Sequence, residues 1–403
     1  MTRLWLALLA ALTLAPAGSA AEAQIPSSIK KKAAAMVKKS PKDSAAAADS
    51  AAKADSAKKQ AAKPDSAKPA QAGAAQAKTD PKVWENYDFV PGNKILFYTD
   101  FSEDKVGNFA RGVKYVDGPA EIVERDGVKM LRATGLATFL VPVGKKLPQR
   151  FTLEIDAIAP EAGMMTRAVQ FEGGAKWLAD DQSAAVSWNP RGAFIEGSGR
   201  NISQGVNVPE AMQGQLTGNV AHIRALMDSG YFKMYVNERR LYNIPELPFR
   251  RDSVIRIAIT GAEEAGQALF VTSIRVAESE TDVMYDALSA KGRWVTQGIL
   301  FATGKAELQP ESRPVLKEIA STLKAHGDLK ILIEGHTDNV GAAASNLALS
   351  DARAAAVKAA LESDFGIDAG RLTTKGFGDT KPAVPNTTPA GRAQNRRVEV
   401  VKQ

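Results

Sequence analysis

The chain has 403 residues, enough for roughly two or three domains that each bury a core, so a single small scaffold is excluded. It contains no cysteine, which excludes disulfide frameworks, thiolate metal sites and cysteine nucleophiles. Its three histidines are too few and too scattered to indicate a transition-metal site, and we predict no cofactor.

The net charge of +7 is unevenly distributed. Residues 1–82 carry a local net charge of +8, whereas residues 83–403, with 38 basic and 39 acidic groups, carry −1. Because the later part of the chain is electrically balanced, its charge does not favour a nucleic-acid partner, and we predict none.

The first 23 residues have the pattern of a secretory signal peptide. A positive start ending at Arg3 is followed by the apolar run Leu4 to Pro16, and Ala21 and Ala23 form a small-x-small cleavage pattern. An uncleaved anchor is the alternative, but the apolar run is shorter than the roughly 20 residues that span a bilayer. We therefore predict an exported protein without a transmembrane span in its mature chain.

Residues 24–83 are rich in Ala, Lys and Asp-Ser-Ala units, and Leu, Ile, Val and Phe are absent between Lys38 and Lys82. Such a composition buries too little apolar surface to offset the entropy of ordering, which predicts a disordered linker. The lysines either keep this tether solvated or bind an anionic surface; the sequence leaves both open.

Residues 84–280 predict an all-β sandwich of many short strands. Apolar alternation or β-branched enrichment is separated by turn signals such as Asp126-Gly127. The predicted strands are Lys94 to Phe101, Ala120 to Val123, Lys129 to Ala133, Phe151 to Ala157, Tyr231 to Val236, Val254 to Ile259 and Ala268 to Val276.

The strand, turn and strand from Ala221 to Arg240 resemble concanavalin-A or laminin-G-like jelly rolls, a class in which many members bind or cleave glycans. Glu154 and Asp156 lie on one face of a predicted strand, as in retaining glycosidases of that class, but the expected second glutamate is missing: Glu161 arrives only after Pro160. We therefore expect these two carboxylates to be solvated or paired across strands, and not catalytic.

Residues 281–403 change to an α/β pattern. Strands are predicted at Val295 to Phe301, Leu329 to Glu334, Arg371 to Gly376 and Arg397 to Val401, with helices at Pro310 to Ala325 and Leu347 to Glu362. This alternation predicts a small βαβαββ sheet covered by helices.

Asp338 and Arg353 are the candidate binding residues of this part. Asp338 follows a buried strand, and Arg353 shares a four-residue stripe with apolar Leu349, Val357 and Leu361 at the edge of the helix face that packs on the sheet. A charge so placed needs a partner. The two residues either pair with each other or flank a cleft that holds a zwitterion, and the pattern leaves both open.

About 110 residues closely resemble the OmpA-like peptidoglycan-binding domain in motif order. The motifs are Gly298 to Phe301, Leu308 to Pro310, Ile333 to Gly341, Asn346 with Leu349-Ser350 and Arg353-Ala354, Gly376 to Gly378, and Gly391 to Glu399. The resemblance implies non-covalent binding of diaminopimelate, a zwitterionic residue of the peptidoglycan peptide stem.

In that family, an aspartate after His-Thr and the arginine of Leu-Ser-x-x-Arg grip the zwitterion, which implies these roles for Asp338 and Arg353. Thr337, Asn346 and Leu349 match pocket positions, and Arg397 is a further candidate unless Asn395, Arg396 and Arg397 lock the sheet edge. The chain is accordingly predicted to be a non-enzymatic envelope protein, in the periplasm or associated with the outer membrane of a Gram-negative-type bacterium. The alternative makes the sandwich the functional part, as a glycan-binding adhesin or glycan-active enzyme, or as a module for an envelope protein.

Overall fold

The computed structural model describes residues 87–160, 167–178, 183–197, 203–264, 266–279 and 284–403. The signal peptide predicted at 1–23 and the linker at 24–83 lie outside these residues. The described part up to residue 279 is here called the β region, and residues 284–403 are called the α/β region. Among the described helices, none is both long and apolar enough to cross a membrane.

The β region consists of antiparallel strands with one short helix, α1 (Glu210–Leu216). The strands are β1 (Lys94–Thr99), β2 (Lys114–Asp117), β3 (Ala120–Arg125), β4 (Val128–Ala133), β5 (Leu136–Pro142), β6 (Arg150–Ile158), β7 (Val169–Gly173), β8 (Ala184–Asn189), β9 (Gly192–Gly197), β10 (Ser203–Asn207), β11 (Ala221–Asp228), β12 (Tyr231–Val236), β13 (Arg239–Ile244), β14 (Val254–Thr260) and β15 (Leu269–Glu278).

These strands form two sheets that share one hydrophobic core. The first sheet has the order β13-β12-β11-β6-β15-β4-β3, with β1 also paired to β15, and the second has the order β10-β9-β8-β7-β14-β5-β2. Leu153 and Ile155 of the first sheet belong to the same buried cluster as Phe139, Trp188 and Ile257 of the second. The two inner faces therefore pack on each other.

Seven predicted strands of the β region are present, with ends within two residues of the predicted ones. The Asp126-Gly127 turn has positive φ at both residues, 52° and 77°, which suits a tight hairpin between β3 and β4. Two of the strands that escaped prediction lack alternation: β8 is buried along its whole length, and β2 is exposed along its whole length.

The α/β region has a four-stranded sheet of order β16-β19-β17-β18. Its elements are α2 (Met284–Lys291), β16 (Arg293–Thr296), a 3₁₀ turn (Pro310–Ser312), α3 (Arg313–Ala325), β17 (Ile331–His336), α4 (Ala343–Ser363), a 3₁₀ turn (Ala369–Arg371), β18 (Leu372–Gly378), α5 (Pro389–Asn395) and β19 (Arg397–Lys402). The βαβαββ prediction missed α2 and α5, which are only eight and seven residues long.

The predicted strand from Val295 to Phe301 was too long. β16 ends at Thr296, because the next residues leave the sheet: Ser312 Oγ accepts from the Leu300 N–H at 2.8 Å and donates to the Leu300 carbonyl at 3.0 Å. This segment passes over the N-terminal end of α3 and brings Phe301 toward α4, where it contacts Arg353.

Helix α4 lies unusually close to the sheet near the end of β17. A Cβ on Gly335 would come within 2.3 Å of the Ser350 carbonyl oxygen, so only glycine allows this approach. Val357 and Leu361 are fully buried on the same helix. The close packing holds the first half of α4 beside the residues that follow β17.

The α/β region packs against the outer face of the first sheet, opposite the shared core. The side-chain amide of Gln394 accepts from the Ile95 N–H at 2.8 Å and donates to the Asn93 carbonyl at 2.7 Å. Arg275 of β15 donates to Gln297 at 2.6 Å. These bonds join the two regions along β1 and β15 of the first sheet.

Candidate functional site

Asp338 lies two residues beyond the end of β17 and is largely buried, with 8% of its surface exposed. Its Oδ1 accepts from the Val340 N–H at 3.0 Å, and its Oδ2 accepts from Arg396 Nη1 at 2.6 Å. The Asn346 amide donates to the Asp338 carbonyl at 3.2 Å. The carboxylate is therefore fixed by the turn after β17 and by the residue before β19, while α4 holds the backbone of Asp338.

Arg353 lies on α4, two turns after Asn346, and is partly exposed. Its Nε donates to the Lys305 carbonyl at 3.0 Å, and its guanidinium lies 4.9 Å from the centre of the Phe301 ring. Burial and the nearby charge of Arg396 lower the pKa of Arg353, while Asp338 opposes the change. Arg353 thus feels the charge of Asp338, yet among the described residues the ion pair of Asp338 is with Arg396.

The other predicted pocket residues lie at different places around Asp338 and Arg353. Thr337 is buried, and its hydroxyl donates to the Asp338 carbonyl at 2.8 Å. Asn346 is buried beneath Asp338, and Leu349 is half-buried one helical turn before Arg353. Thr337 and Asn346 therefore shape the Asp338 turn, while Leu349 flanks Arg353.

Arg397 is held by partners of its own. Its guanidinium pairs with Glu399 at 2.6 Å and donates to the Asn395 and Lys381 carbonyls. Asn395 accepts from the N–H groups of Ala383 and Val384, so these two residues fasten the loop after Pro382 to the start of β19. This matches the sheet-locking interpretation for Asn395 and Arg397.

Arg396, which the sequence did not single out as a binding residue, is the residue that contacts Asp338. Burial opposes its positive charge, but Tyr98, Asp338 and Asp100 raise the pKa of Arg396 above its usual value. Its guanidinium lies 5.3 Å from the centre of the Tyr98 ring, on β1 of the β region. The candidate site is thus in contact with both regions.

Comparison with known proteins matches residues 300–396 to the OmpA family. Residues 300–396 are an OmpA family domain. Over about 100 residues the chain is 44% identical to Outer membrane protein A of Bordetella avium, covering 25% of this chain and 51% of that protein. It is 41% identical to the Outer-membrane lipoprotein YfiB of Pseudomonas aeruginosa, covering 26% of this chain and 61% of that protein.

The Peptidoglycan-binding protein ArfA of Mycobacterium bovis is also 41% identical, over 108 residues, covering 27% of this chain and 33% of that protein. This chain therefore spans less than two thirds of the length of each of these relatives. The similarity includes Asp338, Arg353 and Arg396, which all lie inside the matched OmpA family residues.

A cavity of about 410 Å³ separates the OmpA family domain from the outer face of the first sheet. Arg353, Arg396 and Phe301 line it from the domain side. The opposite wall belongs to the β region; its lining residues are Tyr98, Glu154, Asp156, His222, Arg224, Ser273 and Arg275. The residues that the family match covers thus form only part of this cleft.

The β-region wall consists of two rows of side chains across β11, β6 and β15. In the first row, Arg224 and Arg275 flank Glu154, and the Arg275 guanidinium is bonded to Glu154. In the second, His222 and Ser273 flank Asp156, at 2.8 Å and 2.9 Å from its oxygens. Because these strands alternate, the rows lie on the outer face while Leu153 and Ile155 point into the core.

Glu154 and Asp156 are accordingly paired across strands, as expected from the sequence. Arg224 donates to Asp156 at 2.7 Å as well as lying beside Glu154. Burial alone would raise the pKa of Asp156, but Arg224 and His222 outweigh it and hold that pKa far below its usual range.

One group in the described residues could supply metal ligands: Glu334, His336 and Glu399, whose ligand atoms all lie within 4.8 Å of one another. All three are buried. Burial, followed by the positive charges of Arg397, Lys381 and Arg293, lowers the pKa of His336 to about 4. Since two arginines already pair with Glu399, the surroundings disfavour a further cation.

Proposed function

We propose that the OmpA family domain binds peptidoglycan non-covalently through diaminopimelate, with Asp338 taking the ammonium group and Arg353 the carboxylate. The observation that carries this proposal is the unequal pairing of two neighbouring charges. Asp338 is held by the backbone and by Arg396, whereas Arg353 forms no ion pair within the described ranges. A guanidinium held only by a carbonyl and an aromatic ring keeps donors for a ligand carboxylate.

The geometry of Asp338 supports its proposed role, which is to bind the ammonium group of the ligand. Each carboxylate oxygen already accepts one hydrogen bond, and each has lone-pair capacity left for an ammonium group. The flanking arginines, Arg353 and Arg396, favour a ligand whose ammonium is accompanied by a carboxylate, because a bare cation would meet two positive charges. An amino-acid end such as that of diaminopimelate has this charge pattern.

The names of two relatives support peptidoglycan binding and a location in the cell envelope. ArfA of Mycobacterium bovis is named a peptidoglycan-binding protein, and YfiB of Pseudomonas aeruginosa an outer-membrane lipoprotein. By this proposal, the present chain resides in the cell envelope, in the periplasm or at the outer membrane, and its OmpA family domain anchors the β region to the cell wall without catalysis.

Co-sedimentation with purified sacculi tests the proposal. Asp338→Ala and Arg353→Ala should each weaken binding at least about tenfold, because each removes a charge-assisted contact. Exposed Asp364, which follows α4, and Arg313, which stacks on Phe365 as Arg353 does on Phe301, provide the matched controls Asp364→Ala and Arg313→Ala.

Sacculi that carry lysine in place of diaminopimelate lack one carboxylate and should bind poorly. Undiminished co-sedimentation of both site variants, with the controls unchanged, would reject the assigned site.

The second candidate places a ligand on the β region, which would then be the functional part as an adhesin or glycan-active module. The observation that favours it is a separate cavity of about 660 Å³ at one end of the first sheet, where Arg125 lies 5.2 Å from the centre of the Phe270 ring. In this proposal, residues 84–280 form a concanavalin-A or laminin-G-like jelly roll, and residues 281–403 form the OmpA-like domain. Reproducible glycan-array binding by the full chain carrying Asp338→Ala would favour this candidate. An absence of binding to any glycan would count against it.

A further inference from the structure

The wall that faces Arg353 lies outside the OmpA family residues and has an arrangement suited to a ligand. His222 and Asp156 are partly exposed, with 30% and 23% of their side chains accessible, while Arg224 behind them is only 7% accessible. A buried arginine thus fixes Asp156, and Asp156 in turn orients the accessible imidazole. This is a supported polar surface, since the accessible groups are held in a chain of contacts that ends at a buried arginine.

Only one nitrogen of His222 is engaged among the described residues. Nδ1 lies 2.8 Å from Asp156 and 3.2 Å from the Arg224 guanidinium, which leaves Nε2 to the cavity that His222 lines. Ser273 donates to Asp156 and not to His222. The row therefore lacks a serine–histidine contact of the kind that activates a hydrolase nucleophile, and the second imidazole nitrogen remains available to a ligand.

Side chains of the two walls are also in contact with each other. Tyr98 of β1 stacks on Arg396, and Arg396 holds the Asp338 carboxylate at 2.6 Å. A ligand that engages Asp338 therefore lies next to a side chain that rests on the β region.

The charge of the cleft indicates what the second wall would contact. Four arginines, at 224, 275, 353 and 396, line the cleft with two carboxylates, at 154 and 156, while Arg396 is paired with Asp338 and Arg397 with Glu399. One positive charge is left over when His222 is neutral. A ligand with one carboxylate more than its ammonium groups matches this excess.

We propose that the His222–Asp156–Ser273 row and Tyr98 form a second wall of the peptidoglycan site and bind the amide and carboxylate groups of the peptide stem next to diaminopimelate. This inference rests on the proposed peptidoglycan binding. The β region then determines how much of the stem is recognised, beyond the single residue gripped by Asp338 and Arg353.

Imidazole resonances test this directly, because the chain has three histidines and their signals can be assigned with His222→Gln. Free diaminopimelate and a stem tripeptide ending in diaminopimelate are titrated into the full chain. The tripeptide should shift the His222 ring nitrogens and free diaminopimelate should leave them nearly unchanged. His326, stacked on Tyr285 outside the cleft, is the internal reference.

Affinities complete the test. His222→Gln combined with Ser273→Ala should weaken tripeptide binding about three- to tenfold and leave free diaminopimelate unaffected, and His326→Gln should change neither. Tripeptide binding that moves no His222 signal and survives the double variant overturns the second wall while leaving the proposed function intact. Wild-type protein that binds neither ligand overturns the proposed function itself.

Discussion

Arg224 of the β region and Arg353 of the α/β region are held in opposite ways. In the β region, Arg224 is buried and bonded to carboxylates on the neighbouring strand, so its charge is compensated within the fold. In the α/β region, Arg353 rests on a ring and a carbonyl while Asp338 nearby pairs with a different arginine. The comparison teaches that a compensated charge positions a surface, whereas an uncompensated charge next to an acid is available for a ligand.

The largest expected effect is on stability. Arg224→Met should lower the free energy of unfolding by roughly 3–5 kcal/mol, because it removes the buried guanidinium that Asp156 and the buried Glu154 share. Arg353→Met should change it by less than about 1 kcal/mol, since it breaks no buried ion pair. Urea denaturation of the two variants measures both values. Equal destabilisation would remove the distinction between the two arginines.

The next largest effect is on the pH dependence of stability, where acidification should destabilise the α/β region more than the β region. The folded pKa of His336 is about 4, below the unfolded value near 6.5, so the unfolded chain takes up the proton first. Stability is therefore complete above about pH 6.5 and falls, by on the order of 1–3 kcal/mol, as the pH drops toward 4. Asp156, whose folded pKa is lowered from 3.8, keeps its stabilising effect throughout this window and loses it only at lower pH.

Hydrogen exchange of the full chain at pH 7 and pH 4.5 measures this difference. Protection of the strands around His336 should fall more than protection of β6 and β11. Equal loss in both regions, or loss confined to the β region, would contradict the assignment of the pH-sensitive group to His336.

The smallest expected effect concerns the contact between the regions. Tyr98→Ala removes the ring beneath Arg396 and should weaken diaminopimelate binding about two- to fivefold, the size of one cation–π contact. Tyr98→Phe keeps the ring and should bind like wild type. Calorimetric titration measures both, and equal weakening by Phe and Ala would assign the effect to the hydroxyl instead of the ring.

The sequence was informative where periodicity and motif coincide. The stripe on α4 placed Arg353 at the edge of a buried face, and the structure has Val357 and Leu361 fully buried on that stripe. The position of Asp338 after a strand was also correct. By contrast, β8 and β2 were missed because a strand buried on both faces, or exposed on both, has no alternation to detect.

Arg396 shows why the site itself was predicted only in part. It precedes β19, and the antiparallel pairing of His336 with Arg397 is what brings it to Asp338 across 58 positions of sequence. A weak signal existed, since three polar residues, Asn395 to Arg397, lie immediately before and at the start of the last strand. Local pattern could not say which arginine faces Asp338, because that depends on strand register.

The sequence by itself predicted export and a basic N-terminal linker, and it indicated the two kinds of secondary structure and the OmpA family motifs. These are properties of local composition and spacing. Only the tertiary structure decided that Asp338 pairs with Arg396, that Arg397 locks a loop, and that the charged rows of β6, β11 and β15 face Arg353 across a cleft. Such contacts join residues far apart in the chain, and they exist only once sheet register and the packing of the two regions are set.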